Sequence, residues 1–138
     1  NLIYREEERE MIPLCKEEKI ALTPYSPLAS GRLTRDLSES TKRSETDQIA
    51  ISKYGSTETA DSQIIERLAA VAERRGVSRI HVALAWLLQK EPVTIPIIGA
   101  TKLSHLEDVI PALSLKLEPE EITFMEEPYI PHKVIGAV

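Results

Sequence analysis

The stretch TPYSPLASGRLTR, residues 23–35, gathers an aromatic ring, two serines, small residues, a glycine and two arginines. A turn needs only one or two of these. A site that lays backbone and cation against a phosphate can use all of them: the glycine and alanine between Ser26 and Gly31 keep side chains out of the way of a close approach, and Arg32 and Arg35 bring charge. A second stretch, Gly99-Ala-Thr-Lys102, stands just before a predicted helix. Free N–H groups at a helix start attract anions, and a lysine adds a full positive charge. Each stretch alone is also what an ordinary turn looks like. Following two successive apolar segments, the pair points to phosphate.

Other chemistry-bearing residues read more plainly. His81 lies beside Val82 and Ala83 and is expected to pack or face solvent, and His132, in the tail, is expected to be exposed. Three scattered histidines and one cysteine have no metal-site spacing. Cys15 reads as a small buried hydrophobe and Trp86 as core. The charged run from Arg5 to Glu10 reads as a solvated helix face with i,i+4 pairing.

The elements that must position these residues follow from periodicity. Glu6 to Lys19 is rich in helix formers, and Pro13 moves the expected ordered start to about Glu10. Ile20 to Thr23 reads as a buried strand stopped by Pro24. Asp36 to Thr59 is polar and aperiodic, and is expected to be a long loop or lid. Ala60 to Arg75 carries apolar residues at three-and-four spacing before Gly76, a C-cap residue. Ser78 should cap a second helix to about Lys90. Val93 to Ile98 reads as a second strand, Leu103 to Leu113 as a helix, and Pro119 opens a last one to about Glu127. Apolar runs without alternation, separated by helices, predict parallel strands covered on both faces. The fold class is α/β, with too few strands for a complete sheet.

Composition narrows the function. With 42% apolar and 28% charged residues, the 138-residue chain fits one globular domain. Its net charge of −5 gives no basic field for nucleic acid. No apolar run approaches the ~20 residues that span a bilayer, and Asn1 to Glu6 lacks a signal-peptide pattern. A cytoplasmic protein is expected. The chain opens like the tail of an extended segment, so its beginning is expected to have been cut away.

NLIYREEEREMIPLCKEE, TPYSPLASGRLTR and IPIIGATKLSHLEDVI together resemble the C-terminal half of an aldo-keto reductase. The branch they resemble is the bacterial and potassium-channel β-subunit-like group. The resemblance covers the whole chain and implies a partial, second-half TIM (β/α)8 barrel over residues 1–138, with a long loop at about 36–59. It implies NADP(H) as cofactor and an aldehyde or ketone carbonyl as substrate. Carried over residue by residue, Tyr25 takes the place of the aromatic that stacks on nicotinamide. Ser26, Pro27, Leu28, Ala29, Ser30 and Gly31 match the loop around the pyrophosphate, and Arg35 a basic residue that straddles it. Gly99 and Thr101 match the last phosphate loop, and Lys102 stands beside the adenosine 2′-phosphate. His105 and Asp108 fall near the adenine; His105 and Val109 replace the family's usual Gln and Asn.

The family's catalytic tetrad is Asp, Tyr, Lys and His, with the Tyr as general acid. The resemblance puts all four before Asn1, so no catalytic residue is assigned here. Tyr4, Tyr54 and Tyr129 sit in no matching motif. The chain alone is expected not to reduce carbonyls. Three strands cannot close a barrel, so the open edges should pair with the missing N-terminal half, a second copy or a rearranged part of the chain. An alternative is a non-catalytic, nucleotide-sensing regulatory subunit that keeps Tyr25, Arg35 and Lys102.

Overall fold

Two helices carry most of the core in the computed structural model, which describes residues 1–36, 39 and 46–134. Counting helices in chain order, α1 is Met11–Glu17, α2 Gln48–Tyr54, α3 Glu58–Arg75 and α4 Arg79–Leu88. The last two are α5, Leu103–Glu107, and α6, Pro119–Glu126. α3 buries Ile64, Ile65, Leu68, Val71 and Ala72, and α4 buries every residue from Val82 to Leu87. Leu2, Ile3, Ala29, Leu33, Ala50, Tyr54, Leu117 and Met125 join them in the core. Each fully buried aliphatic side chain contributes about 1.5–3 kcal/mol.

The α3–α4 corner forms as its residues predict. Gly76 ends α3 at φ 64°, a left-handed conformation glycine adopts without a Cβ penalty. Two residues on, the Ser78 hydroxyl accepts from the His81 N–H at 3.3 Å and starts α4. Trp86 and Cys15 are buried, as expected. The predicted helix 103–113 is split into α5 and a 3₁₀ turn, Ile110–Ser114. Pro111 has no N–H to send back to the Glu107 carbonyl, so the α pattern cannot continue through it.

The two predicted strands are corrected to one parallel bridge, Leu22 to Val93. The Leu22 N–H donates to the Pro92 carbonyl at 3.0 Å, and the Thr94 N–H to the Leu22 carbonyl at 2.9 Å. In this register the next rung would need N–H groups from residues 24 and 96, and the previous one an N–H from residue 92. All three are prolines. The ladder therefore has nowhere to grow. The Ile20 N–H turns to the Cys15 carbonyl at 2.8 Å, and the Ile97 N–H reaches the Pro24 carbonyl at 2.9 Å. The segments are not covered on both faces: Ile20, Ile95 and Ile97 are 51, 62 and 55% exposed.

The expected loop at 36–59 is also corrected. Asp47 caps α2 by accepting from the Ala50 N–H at 3.0 Å, and a 3₁₀ turn, Gly55–Thr57, leads into α3. Residues 37, 38 and 40–45 of that expectation lie outside the described residues.

A buried polar network overturns two further expectations. His132 is 6% exposed, its Nε2 3.0 Å from Asp61 Oδ1 and its Nδ1 2.7 Å from the Ile130 carbonyl. That carbonyl can only accept, which puts a hydrogen on Nδ1 and leaves one shared proton between ring and carboxyl. Nor is the run 5–10 uniformly solvated. Glu6 is buried and accepts from the His132 N–H at 2.6 Å and the Tyr129 hydroxyl at 2.8 Å. Trp86 Nε1 donates to Glu126 at 2.7 Å, and Arg5 pairs with the same carboxylate at 3.2 Å.

These contacts set the acid response. Burial pushes the Glu6 and Glu126 carboxyls up, but their donors outweigh it and hold both below the ordinary 4.5. Arg75 holds Glu121 below it too. At Asp61 burial wins, and the carboxyl is raised. A depressed carboxyl contributes stability in full above its unfolded value and loses it as pH falls through the folded value. In urea melts the unfolding free energy should therefore drop as pH is lowered from about 5 to about 3, and drop less in Glu6→Gln. A flat profile would contradict the network.

Candidate functional site

Where the bridge ends, both chains turn into loops that face each other. A cleft of about 490 Å³ lies between them. Every residue assigned to the site from the sequence lines it except Ala29, which is fully buried, and Lys102, which is exposed and follows the lining residue Thr101 in the chain. Ile80 and Val109 add apolar wall.

The first loop is backbone-strained. Ser26, Ala29, Ser30 and Gly31 have φ of 52, 50, 55 and 89°, a concentration of left-handed residues that ordinary turns do not carry. Such strain persists where surrounding structure enforces it and collects at binding sites. The loop is held from both sides. Asn1 Nδ2 donates to the Ser26 carbonyl and to the Tyr54 hydroxyl, each at 3.0 Å, and the buried Ala29 and Leu33 anchor the far end in the core. Successive backbone N–H groups in a turn make anion-receiving concavities; in this one the Ala29 and Gly31 N–H groups close the turn on the Ser26 and Leu28 carbonyls.

Arg35 folds back over this loop, Nη1 donating to the Gly31 carbonyl at 3.3 Å and Nε to the Glu39 carbonyl at 3.1 Å. A Cβ at residue 31 would stand 2.8 Å from that Nη1. At Gly99 an added Cβ would meet nothing within 4 Å, so it would project into open space on the cleft wall. The third side holds His105, whose Nδ1 accepts from the Thr101 N–H at 3.4 Å, and Asp108, whose carbonyl contacts His81 Nε2 at 2.8 Å.

Tyr25 is 67% exposed and forms a wall between this cleft and a smaller cavity of about 370 Å³. Its hydroxyl accepts from Lys53 Nζ at 2.9 Å. Lys53, Tyr54 and Asn1 were not legible as site residues. Asp47, a capping residue ahead of Ile49 and Ala50, was the available signal for the helix that carries the first two. Of the other tyrosines, burial pushes the Tyr54 phenol above the ordinary 10. Tyr129 is raised well beyond it by burial and by Glu6. Neither is poised to release a proton.

The family model described as the aldo/keto reductase family matches residues 1–130. The chain belongs to the aldo/keto reductase family. It is 41% identical over 136 residues to versiconal hemiacetal acetate reductase of Aspergillus parasiticus, covering 97% of this chain and 39% of that protein. It is 41% identical over 140 residues to aldo-keto reductase dtxS3 of Metarhizium robertsii, covering 99% and 36%. The chain thus spans about two fifths of the length of these curated relatives. Among solved structures it superposes on the glycerol dehydrogenase of Gluconobacter oxydans with a TM-score of 0.77 at 21% identity, over 100% of this chain and 43% of that one. A thermostable aldo-keto reductase gives 0.64 at 22% identity, over 93% and 37%. The fold is therefore shared with members of this family. Among the described residues, no helix is long and apolar enough to cross a membrane.

Replacing Gly31 with alanine puts a Cβ into a left-handed conformation, and should cost about 1–2 kcal/mol in urea melts. Gly55, at φ −64° with its nearest neighbour at 3.9 Å, should accept alanine without loss. Equal responses at the two positions would show that the loop is not strained.

Proposed function

We propose that this chain is the C-terminal, NADP(H)-binding half of an aldo-keto reductase (β/α)8 barrel, whose full-length protein reduces aldehyde or ketone carbonyls. The observation that carries the reading is one cleft shared by two loops that leave a single parallel bridge at the same level. The residues present fit a dinucleotide phosphate: a strained backbone concavity, a glycine wall with space beyond it, and a guanidinium within the same cleft.

The chemistry the cofactor supplies when bound is hydride donation to a carbonyl carbon. This chain's part is to hold and orient it. Tyr25 offers its exposed face to the nicotinamide, and the Ser26–Gly31 backbone receives the diphosphate. Arg35 exchanges two neutral carbonyls for phosphate oxygens, trading ordinary hydrogen bonds for charge-assisted ones of roughly twice the strength. Gly99 and Thr101 close the cleft opposite, the exposed Lys102 serves the 2′-phosphate, and His105 and Asp108 border the adenine end. Proton donation to the carbonyl oxygen falls to the family's tetrad, outside residues 1–138. The half-exposed Ile20, Ile95 and Ile97 mark the open side, where the N-terminal barrel half or a second copy packs.

Lys102→Ala in the full-length protein tests the assignment at its most specific point. Loss of one charged contact should weaken NADPH on the order of tenfold and leave NADH nearly unchanged. Equal losses for the two coenzymes would remove the 2′-phosphate assignment.

A further inference from the structure

Helix α2 delivers Lys53 to the smaller cavity, against the tyrosine that also walls the dinucleotide cleft. Its Nζ lies 4.5 Å from the Tyr4 ring centroid, 4.6 Å from that of Tyr25 and 5.8 Å from that of Tyr54, while donating to the Tyr25 hydroxyl at 2.9 Å. The Tyr4 and Tyr54 rings attract the ammonium through their quadrupoles and the Tyr25 hydroxyl accepts from it, yet none of the three cancels its charge. Among the described residues, no carboxylate forms an ion pair with it. Glu8, in the same cavity, is engaged by Arg5 at 2.6 Å and Lys90 at 3.6 Å. Lys53 borders only the smaller cavity, whereas Tyr25 borders both.

We propose that Lys53 is a positioning residue that biases the Tyr25 site toward the reduced coenzyme: its caged ammonium fixes the ring and disfavours a cationic nicotinamide stacked on it. This rests on the assignment of Tyr25 to the nicotinamide. The oxidised ring is a pyridinium with a full positive charge; the reduced ring is neutral. A ring stacked on Tyr25 on the side of the larger cleft would hold that charge on the order of 10 Å from Nζ, about one Debye length at 0.1 M salt. Phosphate and adenine contacts are the same for both redox states, so they drop out of the ratio of the two affinities. Lys53 does not.

The test is fluorescence titration of the full-length protein with NADP⁺ and NADPH separately, in the parent and in Lys53→Met, Lys53→Gln and Lys53→Arg. Screened Coulomb repulsion at that distance predicts that Kd(NADP⁺)/Kd(NADPH) falls about threefold in Lys53→Met, and that Lys53→Arg retains the parent ratio. Lys53→Gln removes the charge while keeping a polar N–H one bond nearer the backbone, so it gives the same fall even if the methionine variant does not fold. A neutral variant that binds both coenzymes with the parent ratio overturns the proposal and leaves the cofactor site standing. Failure of the parent protein to bind either coenzyme overturns both.

Discussion

Two hydrogen bonds, from the Leu22 N–H to the Pro92 carbonyl and from the Thr94 N–H to the Leu22 carbonyl, fix the register on which the candidate site depends. With Leu22 opposite Val93, Pro24 falls opposite Ile95, and the next rung lacks both of its donors. The two segments are thereby released at the same level. One continues into the strained loop at 25–31, the other into Gly99 and Thr101, and the cleft is the space between them. A one-residue slip would turn alternate side chains to the opposite face. The prolines thus limit the sheet and place the site in one stroke.

The second constraint is the buried polar network. Glu6 ties the start of the chain to Tyr129 and His132 near its end, His132 reaches Asp61 in α3, and Glu126 gathers Trp86 and Arg5. Removing one member of such a buried pair typically costs about 3–5 kcal/mol, against 1 or less for an exposed pair. The network fixes the N-terminal residues against α3, α4 and α6. From there Asn1 bonds the Ser26 carbonyl and Tyr4 joins the cage around Lys53, so core and cleft are mechanically continuous.

What the sequence reveals follows the range of the forces involved. The α3–α4 corner is local: Gly76 and Ser78 act within a few residues, and the apolar stripe is periodic. The cleft was legible because small residues and cations at two loops are a compositional signal, independent of distance along the chain. α2 was not, since its isoleucines, Ile49 and Ile51, stay exposed while Ala50 and Tyr54 are the residues it buries, and Asp47 caps it. His132 was misread because its partner, Asp61, is 71 residues away. The strands were overread, although Pro24, Pro92 and Pro96 were in plain view: apolar runs mark burial, but a ladder also needs donors. The Lys53 cage needs Tyr4, Tyr25 and Tyr54 brought together from three segments, and no spacing announces that.

A crystal structure of the full-length protein grown with NADPH examines the central claim most directly. The account requires diphosphate density between the Ser26–Gly31 backbone and Gly99–Thr101, with Arg35 moved off the Gly31 carbonyl onto it. Ordered coenzyme bound elsewhere, with both loops empty and Arg35 still folded back, would contradict it.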